Sequence, residues 1–369
     1  MHKIATSKRM YDLEFIAIYI ITLGLLCTVG INFFRDFIIT YRIFVKPKKR
    51  DLHRDIVPSS CGILFPIAML FGIVLISSVG PESTENYNVI FISAFVLSII
   101  GFWDDLKSIA PRTKLLTQFF LIVINLFNSD LVIKNLHGFL GIFEIPYLIG
   151  LPFTIFIGVV IINSFNLIDG IDGLAGFLSI VIFSSFGIIF WVLDYPFMFI
   201  ISLSLTAVIL AYLPYNLSEH KKVFMGDSGS LFIGFIIYMM TLFTINNLEP
   251  IIDNLFHRSI IPIAPLVIFI YPLIDTASIM FYRFSIGKGV FRPDNLHVHH
   301  LLIAFTRSHK ISSLIVFVFM ILFISLFSYL AFHMDHNYFI ITYFITFSLI
   351  TLFTIASRNR MIKIGLLNV

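Results

Sequence analysis

The chain alternates long apolar stretches with short polar ones. Eleven apolar runs are visible, at residues 15–34, 62–80, 89–103, 115–127, 147–163, 174–192, 197–215, 231–245, 260–282, 312–332 and 338–356. A helix needs about 20 mainly apolar residues to cross a bilayer, because its backbone polar groups must be satisfied internally. The pattern therefore predicts an all-α, polytopic membrane protein with eleven spans. The run at 115–127 is short, so ten spans remain an alternative.

Composition agrees with this interpretation. Of the 369 residues 58% are hydrophobic and 12% are charged, and the mean hydropathy is +0.97. A soluble domain has about 45–50% apolar and about 25% charged residues, so a water-soluble enzyme is excluded. The two cysteines, Cys27 and Cys61, lie in or at the start of apolar runs and exclude a disulfide scaffold. We expect one transmembrane domain over residues 1–369.

The basic residues are distributed unequally between the two sides of the predicted membrane. Twenty of the 25 Lys and Arg residues share one side with the segment 35–61, and five lie on the other. Cytoplasmic loops carry the excess of Lys and Arg, which predicts an external N-terminus and a cytoplasmic C-terminus. Lys3, Lys8 and Arg9 run against this orientation, but seven basic residues follow the first run. The positive charge is thus explained by topology and anionic headgroups rather than by nucleic-acid binding.

Acidic and amide residues gather in the loops on the predicted cytoplasmic side. These loops read GFWDDLKSIAPRTK (101–114), NSFNLIDGIDGL (163–174), HKKVFMGDSGS (220–230) and FRPDNLHVHH (291–300). Each has an ordinary explanation, because acids at a helix end are usually solvated, Asn, Asp and Gly suit turns, and Asp or Ser caps helices. Their convergence on one face instead favours a site for phosphates and for Mg²⁺, which prefers oxygen ligands.

Three local arrangements add detail to this predicted site. Asn163 and Asn166 share a helix face if the fifth helix continues, and the glycines at 170 and 173 allow a turn that directs Asp169 and Asp172 inward. Backbone N–H groups after Gly226 are predicted to approach a phosphate. The three histidines His297, His299 and His300 come from one short segment, whereas Zn²⁺ normally draws ligands from two elements. Phosphate or sugar contacts are therefore favoured, with a solvated histidine loop as the alternative.

In their order along the chain, these motifs resemble those of the polyprenyl-phosphate N-acetylhexosamine-1-phosphate transferases, in particular the bacterial WecA-type undecaprenyl-phosphate subgroup. The resemblance extends from about Pro47 to His300, and the last two spans, within 311–369, carry no motif. The matching positions are Pro47, Arg50, His53, Pro58 and Gly62, the pair Asp104 and Asp105, the run from 163 to 173, Phe224 to Asp227, and the three histidines. Cys61 and Val45 depart from the pattern and bear on the packing of the first loop.

The resemblance implies a reaction and a place for it. GlcNAc 1-phosphate would pass from UDP-GlcNAc to undecaprenyl phosphate, with release of UMP, at the cytoplasmic face of a bacterial inner membrane. Mg²⁺, or Mn²⁺ in its place, would bind Asp227 and Asn166. Asp104 would position the attacking lipid phosphate, Asp105 and Lys114 would order the phosphates, and Asp169 would support the metal. Asp172 and Phe224 would hold the uracil, and Asn163 and His53 would make further substrate contacts. The sugar phosphate would be covered by His297, His299, His300 and Arg292.

Two alternatives remain open. Within the same family the donor could be another UDP-N-acetylhexosamine or UDP-MurNAc-pentapeptide, although transferases for the latter carry three consecutive histidines and Val298 interrupts them here. A secondary transporter or flippase would bury polar residues near the midplane, where Asp275 is the main acidic residue of any predicted span. The sequence leaves open the receiving pathway, such as O-antigen or teichoic acid, and a homodimer.

Overall fold

The computed structural model describes residues 13–41, 57–77, 87–247, 257–287, 289 and 296–366. This part of the chain is almost entirely helical. Its α-helices, numbered here in chain order, are α1 Leu13–Tyr41, α2 Leu64–Ser77, α3 Asn88–Leu106, α4 Pro111–Ser129, α5 Tyr147–Ile168, α6 Leu174–Val192, α7 Pro196–Asn216, α8 Gly226–Asn247, α9 Ile263–Ile268, α10 Ile270–Ser285, α11 Val298–Thr306, α12 His309–His333 and α13 His336–Lys363. Short 3₁₀ turns precede α2 at Cys61–Ile63 and α9 at Arg258–Ile260.

The described helices confirm a multi-pass membrane architecture. Each of the eleven apolar runs coincides with a helix or a helix pair. Of the helices in the described part of the chain, eight are long and apolar enough to cross a membrane, or nine if the segment Arg258–Ile268 and α10 form one span. The predicted count of eleven also includes α2, which is shorter, and α4, which carries Arg112 and Lys114 in its first turn.

The predicted ninth run is not one continuous helix. The segment Arg258–Ile268 meets α10 at an angle of 73°. Pro272 explains the break, because a proline cannot donate to the carbonyl four residues earlier and its ring would clash with that carbonyl, here the one of Ile268. The run predicted as one span at 260–282 is therefore built from two helices, and α10 takes a direction of its own.

Helix α8 lies at the centre of the bundle, with its side chains from Ser228 to Ile245 buried. Two glycines on neighbouring segments let its first turn pack without intervening side chains. A Cβ on Gly101 of α3 would lie 2.3 Å from the carbonyl oxygen of Asp227, and a Cβ on Gly62 would lie 2.3 Å from the Cα of Gly229. These contacts hold the end of α3, with its two aspartates, directly beside the start of α8.

A small β-hairpin, which the sequence pattern did not predict, connects α4 to α5. Strand β1, Asn135–Phe139, pairs antiparallel with β2, Ile142–Glu144. Nε2 of His137 lies 2.9 Å from the carbonyl oxygen of Ile245, near the C-terminal end of α8. The hairpin thus lies at the opposite end of the bundle from Asp227, and the all-α prediction holds for the helices but omits this element.

Candidate active site

Four segments meet where α8 begins: the end of α3, the start of α4, the connection from α5 to α6, and residues 223–230. Within residues 223–230 the chain is fixed by backbone pairing with the segment before α2. The N–H of Phe224 donates to the carbonyl of Pro58 at 2.9 Å, and the N–H of Cys61 donates to the carbonyl of Phe224 at 3.0 Å. Cys61, which departs from the motif pattern, is fully buried, so this departure is accommodated in the core.

Lys114 lies between two carboxylates from different helices. Its Nζ is 2.9 Å from Oδ2 of Asp104 and 2.7 Å from Oδ2 of Asp227, and all three side chains are half-buried. The second oxygen of Asp104 accepts the N–H of Ile109 at 2.5 Å. Two carboxylates therefore share one ammonium at the N-terminal ends of α4 and α8.

Asp105 fixes the backbone at the start of α8. Its carboxylate accepts the N–H of Asp227 at 3.0 Å and the N–H of Ser228 at 3.3 Å. Gly226 has φ +71°, and a Cβ there would lie 2.3 Å from Oδ2 of Asp105, so the position requires glycine. The prediction that a phosphate takes these helix N–H groups is wrong for Asp227 and Ser228, because the chain's own carboxylate occupies the place of the anion.

Helix α5 continues to Ile168, as the shared face of Asn163 and Asn166 requires. Nδ2 of Asn163 donates to Oε1 of Gln118 at 2.8 Å, and Oδ1 of Asn166 accepts the hydroxyl of Ser230 at 2.5 Å. The next acid, Asp169, accepts the N–H of Gly226. Removal from bulk water raises the pKa of Asp169, and the nearby carboxylates of Asp105 and Asp227 raise it further.

Asp172 lies in the turn just before Gly173, whose φ is +81°, and forms a second cluster. Its Oδ2 is 2.6 Å from Nζ of Lys222 and 3.5 Å from Nδ1 of His309. Burial alone would raise the pKa of Asp172, but the contacts with His309 and Lys222 outweigh it and lower the pKa of the carboxyl. The ammonium of Lys222 also lies 5.4 Å from the centre of the Phe224 ring, so a carboxylate, a cation and an aromatic ring share one pocket.

The histidine segment is anchored from within the bundle. Nδ1 of His297 lies 2.8 Å from Oδ2 of Asp275 on α10, and the N–H of Val298 donates to the other carboxylate oxygen at 2.5 Å. His299 is buried, and burial lowers the pKa of its imidazole to about 3, so the ring is neutral. A Cβ on Gly170 would lie 2.9 Å from Nε2 of His299, so Gly170 admits this ring beside Asp169. His300 follows, with its ring centroid 4.4 Å from that of His299.

The structure thus brings together most of the residues predicted for the site. Asp104, Asp105, Lys114, Asp169 and Asp227 form one cluster, with Asn163 and Asn166 on the adjoining helix. Asp172 and Phe224 lie in the second pocket, and His299 lies against the turn at Gly170. His53 and Arg292, like Val45, lie outside the described residues.

Sequence reasoning missed several partners of these residues. Lys222 is two positions before Phe224, so its loop could have indicated it, and Asp275 was already unusual as an acid inside an apolar run. Gln118, Ser230 and His309 had no local signal, because their roles depend on helices that are distant in sequence.

The oxygen atoms of the first cluster suit a divalent cation. The first cluster offers only oxygen donors around Asp227 and Asn166, and its carboxylates outnumber the one ammonium. Among the described residues no three His, Cys, Asp or Glu side chains form a preformed cage for a metal. Mg²⁺ usually binds through one or two carboxylates plus waters and substrate phosphates, so the residues fit this ion.

Comparison with known proteins gives concordant results. Residues 87–245 match the family model Glycosyl transferase family 4, a range that contains the first cluster and, except for His309, the second, but not the histidine segment. An undecaprenyl-phosphate alpha-N-acetylglucosaminyl 1-phosphate transferase of Salmonella typhi is 30% identical over 77% of this chain and 75% of its own. The Escherichia coli K12 enzyme of the same name is 31% identical over 70% and 68%. A probable undecaprenyl-phosphate N-acetylglucosaminyl 1-phosphate transferase of Bacillus subtilis is 30% identical over 74% and 73%.

Proposed function

Because the chain belongs to glycosyl transferase family 4, we propose that it transfers GlcNAc 1-phosphate from UDP-GlcNAc to undecaprenyl phosphate. The observation that carries this proposal is the position of Lys114 between Asp104 and Asp227, beside the pocket of Asp172 and Phe224. The first cluster suits phosphates and the second suits a nucleoside. Both open at one end of a bundle of apolar helices, where a lipid substrate and a water-soluble one can meet.

In the proposed reaction an oxygen of the lipid phosphate forms a bond to the phosphorus that bears the sugar. The bond from that phosphorus to the bridging oxygen breaks, and UMP leaves with this oxygen. Such transfers depend on alignment and on charge stabilisation. A phosphate monoester is already ionised near neutral pH, since its second pKa is about 6, so Asp104 acts in alignment more than as a base. The N–H of Ile109 and the ammonium of Lys114 fix its carboxylate.

Asp227 and Asn166 would hold Mg²⁺ or Mn²⁺, with Asp169 in support. When bound, the ion would neutralise charge on the diphosphate. The chain prepares this site in three ways: Asp105 holds the backbone of Asp227, Ser230 holds the amide of Asn166, and Lys114 balances the carboxylates until substrate arrives. Asp172 and Phe224 would bind uracil, and the histidines would cover the sugar phosphate.

The proposed setting is the cytoplasmic face of a bacterial inner membrane, with eleven spans and the N-terminus outside. The excess of basic residues on the side of the site supports this orientation. A contact at the end of α1 also supports it, because Arg35 donates to the carbonyl of His220 at 3.3 Å. The C-terminal end of α1 therefore lies on the side of the site, which supports an N-terminus on the other side.

The decisive experiment is a donor panel with the purified full-length protein. We expect UMP release from UDP-GlcNAc only when undecaprenyl phosphate and Mg²⁺ are both present, and none after chelation by EDTA. UDP-GalNAc, a deoxy-amino-sugar analogue and UDP-MurNAc-pentapeptide are expected to be poorer donors. UMP release from none of these donors would overturn the proposal, and faster release from another donor would correct the assigned sugar.

Lys222 gives a sharper prediction for the nucleoside pocket. Replacing it by methionine removes the cation that orients Asp172 but keeps an apolar stem beside Phe224. We expect KM for UDP-GlcNAc to rise about ten-fold, as for loss of one charged hydrogen bond, while kcat changes less than about three-fold. The matched control is Lys221→Met, because the neighbouring Lys221 side chain is exposed. Equal KM values for both variants would show that Lys222 does not order the pocket.

A further inference from the structure

The last helix, α13, carries no family motif, yet it contains a fully buried arginine. Arg358 lies on α13 with no solvent exposure. Its Nε donates to the carbonyl of Leu296 at 2.8 Å, its Nη1 to the carbonyl of Ser278 at 2.9 Å, and its Nη2 to the hydroxyl of Ser278 at 2.9 Å. Its guanidinium also lies 5.3 Å from the centre of the Tyr282 ring. Burying a charged group is costly unless it is paired and hydrogen-bonded, so these partners define the place of the side chain.

These contacts lead directly to the histidine segment. Leu296 immediately precedes His297, so Arg358 fixes the backbone at the entrance to the segment. Ser278 donates its hydroxyl to the carbonyl of Asp275 at 3.1 Å, and Asp275 binds His297 and Val298. Arg358 therefore joins three parts of the chain, α10, α13 and the start of the segment, at one point.

We propose that Arg358 is a positioning residue, which holds the His297–His300 segment over the turn at Gly170. This inference rests on the proposed function, because the histidines touch substrate only if the site binds a UDP-sugar. A planar guanidinium can reach two carbonyls and a hydroxyl at once, whereas an ammonium is a compact charge that cannot reproduce this fork. Without it the carbonyls of Leu296 and Ser278 lose a buried donor, and the segment loses its hold on one side.

The first test is kinetic and uses Arg358→Met, which keeps an unbranched apolar stem but removes the guanidinium and its charge. We expect kcat for UMP release to fall at least about ten-fold and Arg358→Lys to be intermediate. In a His299→Ala background the same substitution should cost less than about three-fold, because the effect that passes through His299 is already lost. A merely destabilising change would cost equally in both backgrounds, and that result would overturn the proposal. The matched control is Arg360→Met, since Arg360 is exposed two residues further along α13.

The second test does not depend on activity. Both native cysteines are buried, so Val298→Cys provides a reporter within the segment. We expect its labelling by a maleimide to become at least ten-fold faster in the Arg358→Met protein and to be unchanged in Arg360→Met. Unchanged labelling in Arg358→Met would refute the positioning role even if UMP release fell. If Arg358→Met does not fold, Ser278→Ala removes one acceptor of the fork and should accelerate labelling in the same direction. An inactive wild-type protein would count against the proposed function, while the labelling result would still decide the role of Arg358.

Discussion

Replacing Asp227 by asparagine is expected to lower the rate of UMP release roughly a thousand-fold. The substitution keeps the shape of the side chain but removes the charge that we assign to the divalent cation. A loss of about 4 kcal/mol of transition-state stabilisation corresponds to this factor, at about ten-fold per 1.36 kcal/mol. The fold should survive, because the backbone N–H of Asp227 still binds Asp105 and Lys114 retains Asp104 as a partner.

Two measurements separate this explanation from a general loss of structure. Binding of Mn²⁺, followed by electron paramagnetic resonance, should weaken at least about ten-fold in Asp227→Asn. The matched control is Glu144→Gln, because Glu144 is an exposed carboxylate on the hairpin at the opposite end of the bundle. Near wild-type turnover of Asp227→Asn would show that the metal assignment is wrong.

The helices could be predicted from hydrophobicity because their length and apolar character are local properties. The bend within the run at 260–282 could not be predicted in this way, since Pro272 forces a new helix direction that hydropathy does not register. The hairpin formed by Asn135–Phe139 and Ile142–Glu144 was not predicted for a related reason. It lies in the connection between α4 and α5, where strand pairing depends on turn geometry rather than on a long pattern.

The sequence was sufficient to predict which loops converge at the site, but not which side chains pair with each other there. Asp104 and Asp105 are adjacent in sequence, and nothing local distinguishes them. The structure separates them, because Asp104 meets the ammonium of Lys114 whereas Asp105 takes the backbone N–H groups of α8. The difference arises from the close packing of α3 against α8 at Gly101, which is a contact between distant parts of the chain.

The same limit explains why the role of α13 is invisible in the sequence. Arg358 and its acceptor Ser278 are 80 residues apart, and Arg358 resembles any basic residue at the end of a span. Only the packing of α13 against α10 buries the side chain and gives it defined partners. Family motifs identify residues that contact the substrate. The residues that position them, such as Arg358, are identified by the hydrogen bonds in the folded structure.

Removal of the charge at Lys114 is expected to act differently from the change at Asp227. Lys114→Met keeps the stem but leaves the carboxylates of Asp104 and Asp227 without their shared cation. We expect kcat to fall about a hundred-fold, as for loss of one preorganised donor to a phosphate, and KM for UDP-GlcNAc to rise. Binding of Mn²⁺ should not weaken, because the substitution removes a cation that competes for Oδ2 of Asp227.

Together the two variants test whether Asp227 binds the divalent cation while Lys114 binds a substrate phosphate. Asp227→Asn should lose Mn²⁺ binding, whereas Lys114→Met should lose turnover while retaining Mn²⁺. Lys107→Met is the matched control, because Lys107 is an exposed lysine in the same connection between α3 and α4. If Lys114→Met instead weakened Mn²⁺ binding as much as Asp227→Asn and left KM unchanged, Lys114 would serve to hold Asp227 and would not be a phosphate ligand. Asp227 and Lys114 would then have separate functions although Oδ2 and Nζ are 2.7 Å apart, because Asp227 binds the divalent cation and Lys114 binds a substrate phosphate.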